Sequence, residues 1–517
     1  AVYGHLWDTR GSTWHAFDPF SGVWTHTIEG VPGGERVRGP NGEILVYSID
    51  QNEGTLTKWN NVLTVNPGDY GNSNDGSYGR NIGLDVDDRI YPAERGIEYT
   101  VPIPDLPQRT NFFSALVMED RIISGNTGDI FGGPQSDPEF WAISLEPGHE
   151  GNLLWRKSWT PPVADLWVHF TPNFLPTIED GIFIIQAKET GQNWGFDIDS
   201  GNEVWGPTDR LPDIATSTNL YFPRWGQAVG ADGIVVLGGG MGGSLRGHDV
   251  KTGVELWRVD FVDEHQETLF GPFWPMTPQF VTDGKVYVAH QEHSPLDPKG
   301  RDAPYTVLDL QTGEVVFEAP GLFRSTRWGG QHMIGDSIMA LMDTYDQRVY
   351  AVGKGPTQLT VEKPQAVAEL GSAVTLHGTI MDVSPGAASD EIALRFPNGL
   401  PAVSDASQSE WMMYVYNESQ MPMVTGVDVA FELVTPSGGY QQLGRTTSDS
   451  YGNWAFGWCP EEAGTYTVIA TFEGSGAYYG STQTTYLTVA DPVGGTDTTD
   501  LENAVNNMED SVASVED

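Results

Sequence analysis

The chain has one cysteine in 517 residues, Cys459. A single thiol excludes an intrachain disulfide and any multi-cysteine metal or haem site. Set between Trp458 and Pro460, it is expected to serve as a small apolar core residue. Basic residues are scarce as well. There are 27 Lys and Arg against 70 Asp and Glu, for a formal net charge of −43, and beyond Lys363 only Arg395 and Arg445 carry a fixed positive charge. Such a surface repels a polyanion, which excludes nucleic-acid binding. It attracts cations, as suits either a saline medium or an extracellular surface bathed in divalent ions. No stretch approaches eighteen consecutive apolar residues, so no segment reads as a membrane-spanning helix. No basic-then-apolar leader pattern is present, and long helical periodicities are few.

What the chain does have is repetition. The turns at Asp180, Asp232, Asp283 and Asp336 lie 52, 51 and 53 residues apart, and each leads into an apolar run such as Ile182-Phe183-Ile184-Ile185 or Ile234-Val235-Val236-Leu237. A second phrase interleaves with the first: Asp197-Ile198-Asp199-Ser200-Gly201 before Trp205, Asp249-Val250-Lys251-Thr252-Gly253 before Trp257, and Asp309-Leu310-Gln311-Thr312-Gly313 before Phe317. A contracted copy is Asp18-Pro19-Phe20-Ser21-Gly22-Val23-Trp24. A fixed period of about fifty residues built of strands and turns predicts a β-propeller. The Asp-Gly pairs predict tight hairpins and the apolar runs buried blade strands. The tryptophans are expected to wedge between neighbouring blades. Degenerate copies run from Glu119-Asp120-Arg121 to Trp155 and from Glu43 to Trp59, and residues 1 to 30 read as only the second half of a blade.

After residues 356–364 the pattern changes to period two: Val374, Leu376, Gly378, Ile380; Val427, Val429, Phe431, Leu433; Trp454, Phe456, Trp458; Tyr466, Val468, Ala470, Phe472. Alternation of this kind predicts a two-sheet sandwich, and Gly464-Thr465-Tyr466 has the look of a tyrosine corner. In the last segment, 491–517, Leu501, Val505, Met508, Val512 and Val515 are spaced 4, 3, 4, 3. That spacing is an oligomerising heptad seam, the start of a stalk or a docking helix. The expected fold class is therefore all-β: a propeller of about seven blades, eight at most, over residues 1–355 with an incomplete first blade. A sandwich over 356–490 and a linker with an acidic heptad tail over 491–517 complete it.

The repeat resembles that of the pyrroloquinoline-quinone-like (PQQ-like) propellers, and the segment from Thr447 through Ser475 resembles the Ig-like modules of bacterial and archaeal surface proteins. Together with Gly39-Pro40-Asn41-Gly42, Ile103-Pro104-Asp105-Leu106-Pro107, Glu292-His293-Ser294-Pro295 and Phe396-Pro397-Asn398-Gly399, the whole is similar to archaeal cell-surface proteins that join such a propeller to Ig-like domains. The resemblance implies an exported structural protein of an S-layer, filament or other envelope assembly. It also implies more propeller before residue 1 and a membrane anchor after residue 517. It supplies no catalytic residues.

A quinone-dependent dehydrogenase, the enzymatic alternative, would place quinone and Ca²⁺ in the propeller funnel. The vicinal cysteine pair that often accompanies it is absent, and no haem motif is present to take electrons. No cofactor is therefore assigned beyond Ca²⁺, for which Asp85, Asp87 and Asp88 offer oxygen ligands without the glycine and final glutamate of an EF-hand loop. His290 and His293 follow a Val-Tyr-Val strand, where positions three apart face opposite ways, so they are read as loop residues and not as zinc ligands. Asn417-Glu418-Ser419 is a glycosylation sequon. Aromatics with Pro at Trp155, Trp159, Trp167 and His169, at Phe222–Trp225 and at Phe273-Trp274 read mostly as core, with sugar stacking by an exposed subset as a lectin-like alternative. The expected partners are proteins, self-assembly included, with glycans second.

Overall fold

The structure is a computed structural model that describes residues 4–65, 89–107, 116–126, 138–162, 168–170, 179–187, 190–210, 229–238, 243–268, 272–290, 300–325, 332–362, 367–417, 420–492, 503 and 505. The chain divides into two compact units, Ala1–Val316 with Phe323–Gln331, and Phe317–Leu322 with His332–Asp517.

Among the described residues the first unit holds five four-stranded sheets and the first three strands of a sixth. The third is typical, with Leu116–Val117, Arg121–Asn126, Glu139–Ser144 and Leu153–Ser158 antiparallel in chain order. The fourth (Val168–Phe170 to Glu203–Trp205), the fifth (Val229–Ala231 to Glu255–Asp260) and the sixth (Met276–Thr282 to Val315–Pro320) repeat that order. A seventh, three-stranded sheet of Met333–Gly335, Ile338–Asp343 and Arg348–Val352 follows in the second unit. Serial small antiparallel sheets of this form are the blades of a β-propeller.

The two sequence phrases are its two hairpins. Asp232 and Gly233 have φ of 52° and 77°, and Asp283 and Gly284 51° and 64°. Positive φ at both central residues twists the flanking strands as a hairpin requires. In the second phrase the aspartate carboxylate accepts the N–H three residues on: Ser200 to Asp197 at 2.8 Å, Thr252 to Asp249 at 2.8 Å, Thr312 to Asp309 at 2.9 Å. The seventh sheet keeps the device in degenerate form. Gln347, with φ 62°, stands where glycine stands elsewhere and donates its N–H to the Asp343 carbonyl at 2.8 Å.

The first sheet differs from the half-blade expected of residues 1 to 30. Leu6–Asp8, Thr13–Phe17 and Trp24–Glu29 supply three antiparallel strands, and Ile90–Pro92 adds a fourth, parallel to Trp24–Glu29. That fourth strand lies in the connection between two strands of the second sheet, Thr55–Asn60 and Ile97–Pro102. No local signal in residues 1 to 30 announces it.

In the second unit a sandwich packs one sheet of Thr357–Leu359, Val374–Asp382, Leu400–Pro401 and Asn453–Trp458 on another. The second sheet contains Ala368–Glu369, Asp428–Val434, Tyr440–Thr447, Gly464–Gly474 and Tyr479–Ala490. The period-two residues meet between them: Leu376, Ile380, Val429, Phe431, Leu433, Val468 and Ala470 are buried in one cluster. Tyr466 makes the corner its sequence suggests, donating to the Glu462 carbonyl at 3.0 Å and accepting the Glu462 N–H at 2.7 Å. Two helices that the period-two pattern does not announce, Asp390–Arg395 and Gln408–Asn417, pack around their own core of Ile392, Val403, Trp411 and Val415. Arg395 closes the second helix by donating to the carbonyls of Val415 (2.6 Å) and Tyr414 (3.0 Å).

The expected boundary at residue 355 falls inside this second unit. Arg348 of the seventh sheet pairs with Glu391 at 3.0 Å, and Ser409 donates to the Glu318 carbonyl. Both bonds tie the preceding strands to the helical part of the unit.

Candidate interaction surface

The outermost strands of the blades carry the repeat's aromatic residue, and its packing decides what the strand leaves exposed. Trp155 donates its Nε1–H to the Ile198 carbonyl, Trp205 to Val250 and Trp257 to Leu310, each at 2.8 Å. Each acceptor directly follows the turn aspartate of the next sheet. The glycine of the same turn lies under the indole: a Cβ on Gly201, Gly253 or Gly313 would strike the ring of Trp155, Trp205 or Trp257. The aspartate, hydroxyl and glycine thus shape a turn that seats the preceding sheet's tryptophan. Arg121 reinforces the seat at Ile198, donating to the same carbonyl at 3.0 Å and pairing with Asp120 and Asp199 at 2.7 Å each. Its guanidinium holds the Asp120 carboxyl below the usual carboxylate range.

Burying the aromatic residue turns the one before it outward, because neighbours on a strand face opposite ways. Leu154, Val204 and Leu256 precede the buried Trp155, Trp205 and Trp257, and Val316 precedes the half-buried Phe317; they are 46, 50, 50 and 54% exposed. One aliphatic residue at the same repeat position is therefore presented to solvent by each of four sheets. The edges of these strands differ from that of the first sheet. In Trp24–Glu29, flanked by the parallel strand Ile90–Pro92, three consecutive residues, His26, Thr27 and Ile28, are buried. In Leu153–Ser158 and Glu255–Asp260, which have no such neighbour among the described residues, only Trp155 and Trp257 are buried. The first sheet thus shows an outer edge accepting an extended segment. Among the described residues, the third and fifth present the same edge without a partner strand.

Charge on these edges is locally paired. Arg156 and Ser158 both engage Glu139, at 2.9 and 3.0 Å. Arg258 binds Asp260 at 2.8 Å. Burial pushes the Asp260 carboxyl up, but its bonds to Arg258 and Ser244 prevail and hold it below the usual range.

Several residues singled out in the sequence fall elsewhere. Asp85, Asp87 and Asp88 lie outside the described residues, as do His293, Trp167, Phe222–Trp225, Leu501, Met508, Val512 and Val515. Of the heptad seam only Val505 is described; its backbone is helical and its side chain 46% exposed. Asn417 ends the helix Gln408–Asn417, with Glu418 and Ser419 outside the described residues. His290 closes the strand Lys285–His290, fully buried against the Trp274 ring at 5.5 Å. Burial, with Arg324 nearby, pushes its imidazole down to about 3. Trp155, Trp159 and Trp274 are core. Cys459 corrects an expectation: it is exposed. Although Trp458 pairs with Val374 on the neighbouring strand, Cys459 falls just past the strand's end and outside the ladder. Among the described residues no three or more His, Cys, Asp or Glu side chains group to hold a metal ion.

No family model and no curated protein matches the chain. Solved structures similar to it include BamB from Moraxella catarrhalis, at 12% identity over 67% of this chain and 78% of that one, with a TM-score of 0.32. A functionally unknown protein from Desulfotomaculum acetoxidans DSM 771 is similar at 10% identity, 68% and 92% coverage and a TM-score of 0.33. Kluyveromyces lactis Hsv2p matches at 8% identity, 69% and 89% coverage and a TM-score of 0.33.

Proposed function

We propose that this chain is a non-catalytic, exported cell-surface or extracellular protein that works in envelope or filament assembly, or in adhesion, through protein–protein contacts. In organisation it is read as an archaeal surface protein joining a PQQ-like propeller to an Ig-like module. One observation carries the proposal. The chemistry-bearing residues of the repeat are used in seating one sheet on the next, while the outer edges keep an aliphatic residue exposed at a fixed position. Edges of this kind bind extended segments through main-chain hydrogen bonds and side-chain contacts. The acidic surface adds a second element, bridging by divalent cations.

The test replaces Leu154, Val204 and Leu256 together by Asp. Expected is loss of assembly, followed by light scattering and by binding to envelope preparations, with little change in thermal midpoint. Unchanged assembly would sink the edge-contact function. Calcium chelation that leaves the assembly state unchanged removes the cation-bridging element alone. Dye reduction with alcohols or sugars after reconstitution with quinone and Ca²⁺ would overturn the non-catalytic assignment.

A further inference from the structure

The five-stranded sheet of the sandwich has one face in the core and one in solvent. Val429, Phe431, Leu433, Tyr466, Val468, Ala470, Leu487 and Val489 point inward. Alternation therefore sends Glu432, Val434, Thr467, Ile469, Thr484 and Tyr486 outward. The strand register aligns these outward residues in rows. Tyr440 pairs with Val434, Val434 with Thr467, and Thr467 with Tyr486. The next row is Gln442, Glu432, Ile469 and Thr484. Two tyrosines, 61 and 59% exposed, thus stand at opposite ends of one row. They are three strand spacings apart, or about 14 Å.

We propose that this face binds a neutral, extended polysaccharide, stacked on the rings of Tyr440 and Tyr486. An exposed phenol ring offers an apolar face to the C–H side of a sugar and keeps its hydroxyl in water. Between the rings, Val434 and Ile469 alternate with Thr467 and Thr484, whose hydroxyls match sugar hydroxyls in both donor and acceptor sense, while Glu432 and Gln442 hold the Tyr440 hydroxyl and fix its ring. Charge selects the class of polymer. In a chain of net charge −43 these two rows hold one carboxylate, Glu432, and the cation nearest along the edge strand, Arg445, is taken up by Glu473 at 3.1 Å. An anionic polymer meets the repulsion of the whole molecule. A cationic one has denser carboxylate to choose elsewhere. A neutral chain fits the patch as it stands. The inference is independent of the sheet edges of the first unit.

The full chain is run through affinity gels containing neutral hydroxyethyl cellulose, laminarin, mannan or dextran, with hyaluronan as the anionic comparison. Expected is retardation by at least one neutral polymer and none by hyaluronan. Tyr440→Ala and Tyr486→Ala should each weaken binding roughly fivefold, and the double variant should abolish it. Tyr486→Thr, a change to a good strand former, should lose binding with the thermal midpoint held, and Tyr486→Phe should keep it. Failure of all four neutral polymers to retard the chain overturns the proposal, as does retardation by hyaluronan alone. So does a double variant that binds undiminished, or whose only change is in oligomeric state by sedimentation, which would make the face a contact between copies.

Discussion

The indole of Trp205 lies over Gly253 of the following sheet and donates to the Val250 carbonyl at 2.8 Å. The glycine is needed twice, for a φ of 71° and for the space its missing Cβ leaves to the ring. Gly253→Ala should cost about 2–4 kcal/mol, backbone strain and overpacking together. Gly233→Ala, at φ 77° with nothing within 4 Å of the added Cβ, should cost about 1 kcal/mol from strain alone. Denaturant titration of both variants measures the difference, which is the share due to the ring.

Trp205→Phe keeps an aromatic ring but leaves the Val250 carbonyl without its donor. A loss of about 1–3 kcal/mol is expected, the cost of one unsatisfied buried polar group. Phe317 already occupies the corresponding position in the sixth sheet, so Phe317→Trp should leave stability unchanged or lower it where no seat has been shaped to receive the ring. Urea midpoints of the two variants check both directions.

Burial lowers three histidines of the first unit, His26, His248 and His290, and makes it acid-sensitive. A histidine ordinarily titrates near 6.5; burial, with His5 nearby, lowers His26 to about 4, and burial with Arg324 nearby lowers His290 to about 3. The unfolded chain therefore takes up protons that the folded one refuses. The stability held above pH 6.5 is lost as pH falls through the folded values, on the order of 1.4 kcal/mol for each unit between folded and unfolded values. His290→Gln should flatten the dependence of the guanidinium midpoint between pH 6.5 and about 3 relative to the parent. An unchanged slope would contradict burial of a neutral imidazole.

In the sandwich, Tyr466→Phe removes both bonds to Glu462. A loss of about 1–2 kcal/mol in the second unit's transition is expected, read by calorimetry.

Cys459, exposed, should react stoichiometrically with a thiol reagent in the native protein. Cys459→Ser should shift stability by less than about 0.5 kcal/mol.

What the sequence disclosed and what it hid divide along the range of the interactions. The turns at Asp197, Asp249 and Asp309 are legible because aspartate, hydroxyl and glycine act within five residues of one another. The sandwich core is legible because inward residues of Asp428–Val434 and Gly464–Gly474 keep strict alternation. The strand Ile90–Pro92 is not, since its place is set by Trp24–Glu29, over sixty residues away. The helix Gln408–Asn417 escaped because its buried Trp411 and Val415, four apart, make too short a run to establish a period. Cys459 was misjudged because aromatic neighbours in sequence are a poor guide to burial at a strand's end. The open edges were the least visible feature: an exposed valine before a tryptophan looks the same in sequence as a buried one.

The seating of Trp155, Trp205 and Trp257 runs in one direction, each ring resting on the turn that comes later in the chain. During synthesis from the N-terminus, each of these three tryptophans emerges before the surface that will hold it. A chain halted after the third, fourth or fifth sheet therefore ends on an indole with nowhere to rest. Successive arrest lengths should display this as stepwise changes in tryptophan emission, one for each turn delivered.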